Sequence, residues 1–338
     1  MSNLSNAAAV LVLGLAACGA PDRPATASST SAARIDNDAC LEAAWQLVDG
    51  DHLREAAEAA GTCVARAPAD PNAHDTEGEL WLLAGDLDRA ERSFRAALAH
   101  DPRFATAHHG LAMIRFDRGD DDGGLAALRD GVAISSSPDP TYALTRLLES
   151  VAWAHLLAGR LDDALEAIAA SVDAQGLDDA EATAVTHVGR ARLFLYTGAT
   201  DRALTETAAA RVAAPQSFAA NAARAVEIST LARAGKIDAA TTALAVFAAE
   251  FGADHPLATT PAFELAIARA DLDAAATALA VIATGDPYAA EQAAFVLARA
   301  LRAAGRDADA RPLLDRLTAR HLRSVLSAHT RRAALALR

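Results

Sequence analysis

Apolar residues recur along this chain at helical spacing, as in Ala90, Phe94, Ala97 and Leu98, so one stripe of each segment faces a neighbour. Strand-like runs of Val, Ile, Thr and aromatic residues are nearly absent. The helical segments are punctuated by a recurring element. Gly85-Asp86-Leu87-Asp88-Arg89-Ala90 returns in outline as Gly159-Arg160-Leu161-Asp162-Asp163-Ala164, as Gly198-Ala199-Thr200-Asp201-Arg202-Ala203 and as Gly235-Lys236-Ile237-Asp238-Ala239-Ala240. Weaker copies begin at Gly50, Gly119, Ala270 and Gly305, and successive starts lie 35, 34, 40, 39, 37, 35 and 35 residues apart. Self-similarity at that period predicts stacked helical hairpins.

The element has a physical reading. Glycine ends one helix, where a residue without Cβ enters the left-handed cap easily. The aspartate three residues on (Asp88, Asp122, Asp162, Asp201, Asp238, Asp273) is expected to start the next helix, capping free N–H groups and favouring the helix dipole. The alanine two further on (Ala90, Ala164, Ala203, Ala240, Ala275, Ala310) is small where the two helices touch. Ser135-Ser136-Ser137-Pro138-Asp139-Pro140 is a loop insertion, and it sets an expected break in the array near 135–142; Ala174 to Asp179 is a second insertion.

These residues resemble the tetratricopeptide repeat (TPR) family, a helix–turn–helix unit of about 34 residues. The best copy, Pro71 to about Phe104, carries Gly78, Trp81, Gly85, Ala90, Phe94, Ala97 and Pro102 at the family's small, aromatic and proline positions. It departs at His74, where the family has Trp, and at Glu77, where it has Leu. The resemblance implies an all-α fold, a right-handed α-solenoid of about eight TPR-like hairpins over 36–317, closed by a capping helix over 318–338 that carries Arg320, Arg323, Arg331, Arg332 and Arg338. In the family the first helix of each unit lines a concave groove. Matched by position, the groove residues here are Asn72, Asp75, Glu79, His109, Met113, Phe116, Arg146, Glu149, Trp153, Arg192, Tyr196, Arg299 and Arg302. The two-Lys, two-Asn carboxylate clamp of chaperone-binding relatives is not visible.

The N-terminus reads as an address. Residues 7–17 form an apolar run too short for a bilayer span of roughly 20 residues, and they match the core of a secretory signal peptide, 1–17. Leu15-Ala16-Ala17-Cys18 resembles a bacterial lipobox, which implies lipidation of Cys18. Met1 to Asn6 contains no Lys or Arg, so the positive leader rests on the terminal amine alone. Gly19, where enteric lipoproteins retained at the inner membrane have Asp, implies the outer membrane, facing the periplasm. Residues 18–35 are small and polar without apolar periodicity, and are expected to form a disordered tether.

With Cys18 acylated, Cys40 and Cys63 remain as an even pair in an oxidising compartment. They fall at neighbouring ends of an antiparallel helix pair, so a disulfide is geometrically accessible; two buried small hydrophobes are the alternative.

Hydrophobic residues make up 52% of the chain but aromatics only 4%, so alanine supplies most of the apolar surface and helices can approach closely. The net charge of −13 disfavours nucleic acid as a partner. No nucleophile elbow, phosphate loop, dinucleotide fingerprint or zinc-protease motif occurs. His108 and His109 point about 100° apart on a helix and do not chelate together. Asp120-Asp121-Asp122 lacks the alternation of a calcium loop. The expectation is therefore no enzyme, no cofactor and no metal. The expected function is a lipid-anchored envelope scaffold that binds a protein or peptide. A cytoplasmic repeat regulator with a misread N-terminus is one alternative; a ligand-binding or enzymatic protein is the other.

Overall fold

The computed structural model describes residues 32–49, 52–135, 142–175, 177–285, 287–319, 321 and 324–338. The signal segment, Cys18, tether residues up to 31, residues 136–141 of the expected break, and Arg320 and Arg323 lie outside the described residues. The described residues form seventeen helices and no strand, so the fold is all-α. In chain order they are α1 (Ala32–Asp49), α2 (Leu53–Arg66), α3 (Pro71–Leu83), α4 (Leu87–His100), α5 (Ala105–Asp117), α6 (Asp121–Ser135), α7 (Tyr142–Leu157), α8 (Leu161–Asp173) and α9 (Asp179–Tyr196). There follow α10 (Thr200–Ala213), α11 (Phe218–Arg233), α12 (Ile237–Phe251), α13 (Pro256–Ala268), α14 (Leu272–Gly285), α15 (Pro287–Ala303), α16 (Asp307–Ala319) and α17 (Val325–Leu337). Sixteen of them alternate as first and second helices of eight repeats, and α17 is the terminal helix.

The chain forms two compact units. The N-terminal unit holds α1–α7 and residues 319–332; the C-terminal unit holds α8–α16 and residues 333–338. Within the N-terminal unit each helix from α1 to α7 packs on the next, and the first helices also touch one another, α1 on α3, α3 on α5 and α5 on α7. In the C-terminal unit α9, α11, α13 and α15 form the corresponding layer.

Three boundaries differ from the sequence reading. The division between compact units falls between Ala158 and Gly159, not in the Ser/Pro insertion, because α7 packs on both α5 and α6 and so joins the unit before it. Helix α1 begins at Ala32, inside the stretch assigned to the tether. Thr318 belongs to α16, and the terminal helix starts at Val325.

One turn geometry recurs. Gly85, Gly119, Gly198, Gly235 and Gly305 hold φ between 72° and 82°. After each, a backbone N–H reaches back five residues: Asp86 to the Trp81 carbonyl (3.0 Å), Asp120 to Arg115 (2.9 Å), Ala199 to Phe194 (2.8 Å), Lys236 to Leu231 (2.9 Å) and Arg306 to Leu301 (2.8 Å). These bonds satisfy carbonyls that the helix end leaves free. In the seventh repeat Ala270 takes the glycine's place at φ 57°, with Asp271 N–H on the Ala266 carbonyl at 2.9 Å.

The next helix is capped by a different aspartate from the one the repeat suggested. The carboxylates of Asp86, Asp120 and Asp271 accept from the N–H groups of Arg89, Gly123 and Ala274 at 3.1, 2.9 and 3.0 Å. Only a residue still outside the helix can fold its side chain back onto the first free N–H groups. Asp88 and Asp273 lie already within the first turn, where they favour the dipole and accept from Arg118 at 2.7 Å and Arg306 at 3.0 Å instead of capping.

Between repeats the packing is tight. The fully buried ring of Phe94 lies against Gly78 of its own hairpin and Gly110 of the next; a Cβ on Gly110 would stand 2.4 Å from the ring. His74 and His108 play one structural part in two repeats: Nε2 of each lies 2.9 Å from the carbonyl of a proline six residues earlier, Pro68 and Pro102. That contact ties the turn between repeats and accounts for the histidine found in place of the family's tryptophan. At the start of the array Cys40 of α1 and Cys63 of α2 are joined in a disulfide, their Cα atoms 5.9 Å apart, beside buried Leu41 and Ala73.

Two outcomes follow for stability. Ala270→Gly removes a left-handed non-glycine residue, and is expected to raise stability by about 1 kcal/mol in denaturant titration. Replacing Cys40 and Cys63 together by serine is expected to cost about 3 kcal/mol, the chain entropy released by opening a loop of 23 residues, read as earlier unfolding of the first hairpin under non-reducing conditions.

Candidate partner-binding face

The side chains matched to a binding groove all stand on first helices, and burial divides them. In the N-terminal unit Asn72 and Glu79 of α3 are half-buried, whereas Asp75 is buried. On α5, His109, Met113 and Phe116 are all buried. His109 Nε2 lies 2.9 Å from Ser150 Oγ on α7, so this histidine joins two first helices. On α7, Arg146, Glu149 and Trp153 are half-buried and fall at helical spacing on one side.

In the C-terminal unit Arg192 and Tyr196 of α9 are buried. Burial pushes the Tyr196 hydroxyl up to about 12, against the opposing pull of the Arg233 charge, so it stays protonated as a neutral donor. Arg299 of α15 is half-buried, its guanidinium 5.9 Å from the Phe295 ring centre. Arg302 is exposed; it donates from Nε to Asp307 at 3.1 Å and also to the carbonyl of Leu337. Asp75, His109, Met113, Phe116, Arg192 and Tyr196 therefore do not stand as exposed anchors. The first helices pack on one another as well as on their own partners, and residues at those positions fill the contacts.

The sequence reading missed a pair on this layer. Arg233 of α11 holds Glu264 of α13 by a two-pronged bridge, Nε to Oε2 at 2.9 Å and Nη2 to Oε1 at 2.7 Å, and the Glu264 side chain is only 4% exposed. The repeat frame carries the signal. Glu264 precedes the turn residue Ala270 by six, as Arg192 precedes Gly198; Arg233 precedes Gly235 by two, as Tyr196 precedes Gly198.

Two clefts open elsewhere. One of about 810 Å³ in the C-terminal unit lies between the end of α10, the start of α11 and the end of α12, lined by Arg211, Val212, Pro215, Asn221, Arg224 and Phe251 among others. The other, about 410 Å³, lies between α3 and α4 and is lined by His74, Glu77, Trp81, Arg89, Arg92 and Ser93. Arg89 sits 4.3 Å over the Trp81 ring there, and Ser93 donates to Glu77 at 2.8 Å. Neither cleft includes a residue of the expected groove. Among the described residues no group of three or more His, Cys, Asp or Glu is placed to hold a metal ion, and no helix is long and apolar enough to cross a membrane.

No family model matches the chain, and no curated protein does. Solved structures do resemble it. A tetratricopeptide repeat protein from Parabacteroides merdae shares 13% identity over 78% of this chain and 99% of its own, with a TM-score of 0.49. PilW, a type IV pilus biogenesis factor, shares 17% over 64% of this chain and 94% of its own, at 0.45. PilF of Pseudomonas aeruginosa shares 14% over 76% of this chain and 95% of its own, at 0.42. At these identities the assignment to TPR-like hairpins rests on the helices, their packing and their turns.

Glu264→Gln is expected to cost about 3 kcal/mol, because the Arg233 charge loses its counter-ion. Arg233→Met with Glu264→Leu is expected to recover most of that loss, since apolar packing replaces both charges. Urea titration of the three chains gives the comparison.

Proposed function

We propose that the protein is a lipid-anchored scaffold of the bacterial envelope that holds a protein or peptide partner on its layer of first helices. The observation that carries this reading is one register of that layer. Six residues before the turn, Glu79, Trp153 and Arg299 are half-buried, whereas Met113, Arg192 and Glu264 at the same position are buried. The three charged or aromatic side chains that stay partly in solvent suit recognition of a polypeptide segment, with Trp153 and Arg299 as anchors. Arg146 and Glu149 stand beside Trp153 on α7 and extend the same surface.

The anchor rests on the lipobox-like Leu15-Ala16-Ala17-Cys18 and the apolar run before it. Acyl chains contribute about 0.8 kcal/mol per buried CH₂, and two or more hold a protein stably at a membrane. The disulfide fits the oxidising side of that membrane. Gly19 favours the outer membrane, with the repeats in the periplasm.

Two measurements test the two halves. A palmitate analogue is expected to label the wild type and not Cys18→Ser; an unlabelled wild type returns the chain to the cytoplasmic reading. A photocrosslinking residue at position 153 is expected to capture a defined envelope protein that the same residue at exposed Val246 does not. Equal capture at both positions removes the first-helix layer as the binding face.

A further inference from the structure

The C-terminal segment of the N-terminal unit lies against residues more than two hundred positions earlier. His321 Nδ1 is 2.7 Å from Asp117 Oδ2, and Arg331 Nε donates to Asp117 Oδ1 at 2.9 Å. Arg331 Nη2 also donates to the Asp117 carbonyl at 3.2 Å, and Arg332 donates to the Phe116 carbonyl. Arg332 bridges Asp121 with both terminal nitrogens, at 2.8 and 3.1 Å. The His321 ring reaches the turn before, 3.2 Å from where a Cβ on Gly85 would stand.

The receiving site is the C-terminal end of α5 and the first turn of α6. Its last carbonyls carry the negative end of the helix dipole, and Asp117 and Asp121 add two carboxylates. The Asp117 side chain is 2% exposed and the Arg331 side chain 13%. A buried carboxylate is stable in that place only while its cations remain. Val325 and Leu326 of the same segment are buried, so it brings apolar surface as well.

We infer that this acidic helix end is a binding site for a basic, arginine-bearing helix, and that residues 324–332 of the same chain are its resident ligand, held as a latch by Asp117. The partner chemistry is a helix with adjacent arginines that meet carboxylates and the last carbonyls of a helix end. While the latch is seated, the site is closed to any other basic segment. When it opens, the end of α5 and the first turn of α6 become available to such a helix.

Hydrogen exchange on the full chain tests the latch. In Arg331→Gln the amides of 325–332 are expected to exchange on the order of a hundredfold faster than in the wild type, while α3 to α6 keep their protection. Unchanged exchange overturns the proposal. So does acceleration throughout the unit, since the arginine would then stabilise the whole unit and not a separable segment. A fluorescent peptide with the sequence of residues 324–332 tests the site. It is expected to bind the full-length Arg331→Gln protein and to bind wild type at least about tenfold more weakly, because the resident segment competes. Adding Asp117→Asn to the Arg331→Gln chain is expected to abolish binding. No binding to Arg331→Gln, or binding that survives Asp117→Asn, overturns the assignment.

Discussion

The structure depends on one backbone event, the entry of a single residue into the left-handed region at the end of the first helices from α3 to α15. With φ near 75° at Gly85, Gly119, Gly198, Gly235 and Gly305, the chain reverses within three residues and bonds back to a free carbonyl. Antiparallel second helices then fall against first helices at a fixed register, and small residues such as Ala90, Ala164, Ala203 and Ala240, all fully buried, stand at the contact. Ala270 shows that the geometry is imposed by the repeat and not merely permitted by glycine, because alanine is carried into the same conformation.

An alanine-rich chain has few large side chains with which to fill the space between hairpins. The fully buried aromatic rings are correspondingly important, and Phe94, Phe194, Phe247 and Phe263 supply them. Polar side chains take up the remaining contacts of the first-helix layer. Asp75, His109, Arg192 and Glu264 are all buried there, and the pair of Arg233 with Glu264 shows how such a charge is kept. A buried ion pair of this kind contributes little net stability against an apolar pair, but removing either partner leaves the other charge buried and uncompensated. The layer is thus packed through polar as well as apolar contacts, while Glu79, Trp153 and Arg299 stay half-buried within it.

Helix identity, repeat number, turn positions and the neighbouring placement of Cys40 and Cys63 were legible in the sequence. Each is set by residues within one hairpin: periodicity, a glycine, an aspartate and an alanine at fixed offsets. Even there a local choice escaped, since Asp86 and not Asp88 caps α4, and the difference is one of backbone position at the helix boundary. Glu264 and Arg233 were visible in the repeat frame, at the offsets of Arg192 and Tyr196.

The sequence by itself determined an all-α chain of eight helical repeats, because hairpin signals are short-range and recur. Only the tertiary structure decided which first-helix side chains are buried, because that depends on the neighbouring repeat's volume and not on a residue's own type. Met113 and Trp153 hold the same place in their repeats, yet one is buried and the other half-exposed. Only the tertiary structure, likewise, set Arg331 and His321 against Asp117. No periodicity links residues so far apart, and a buried carboxylate chooses its cations by space and charge alone.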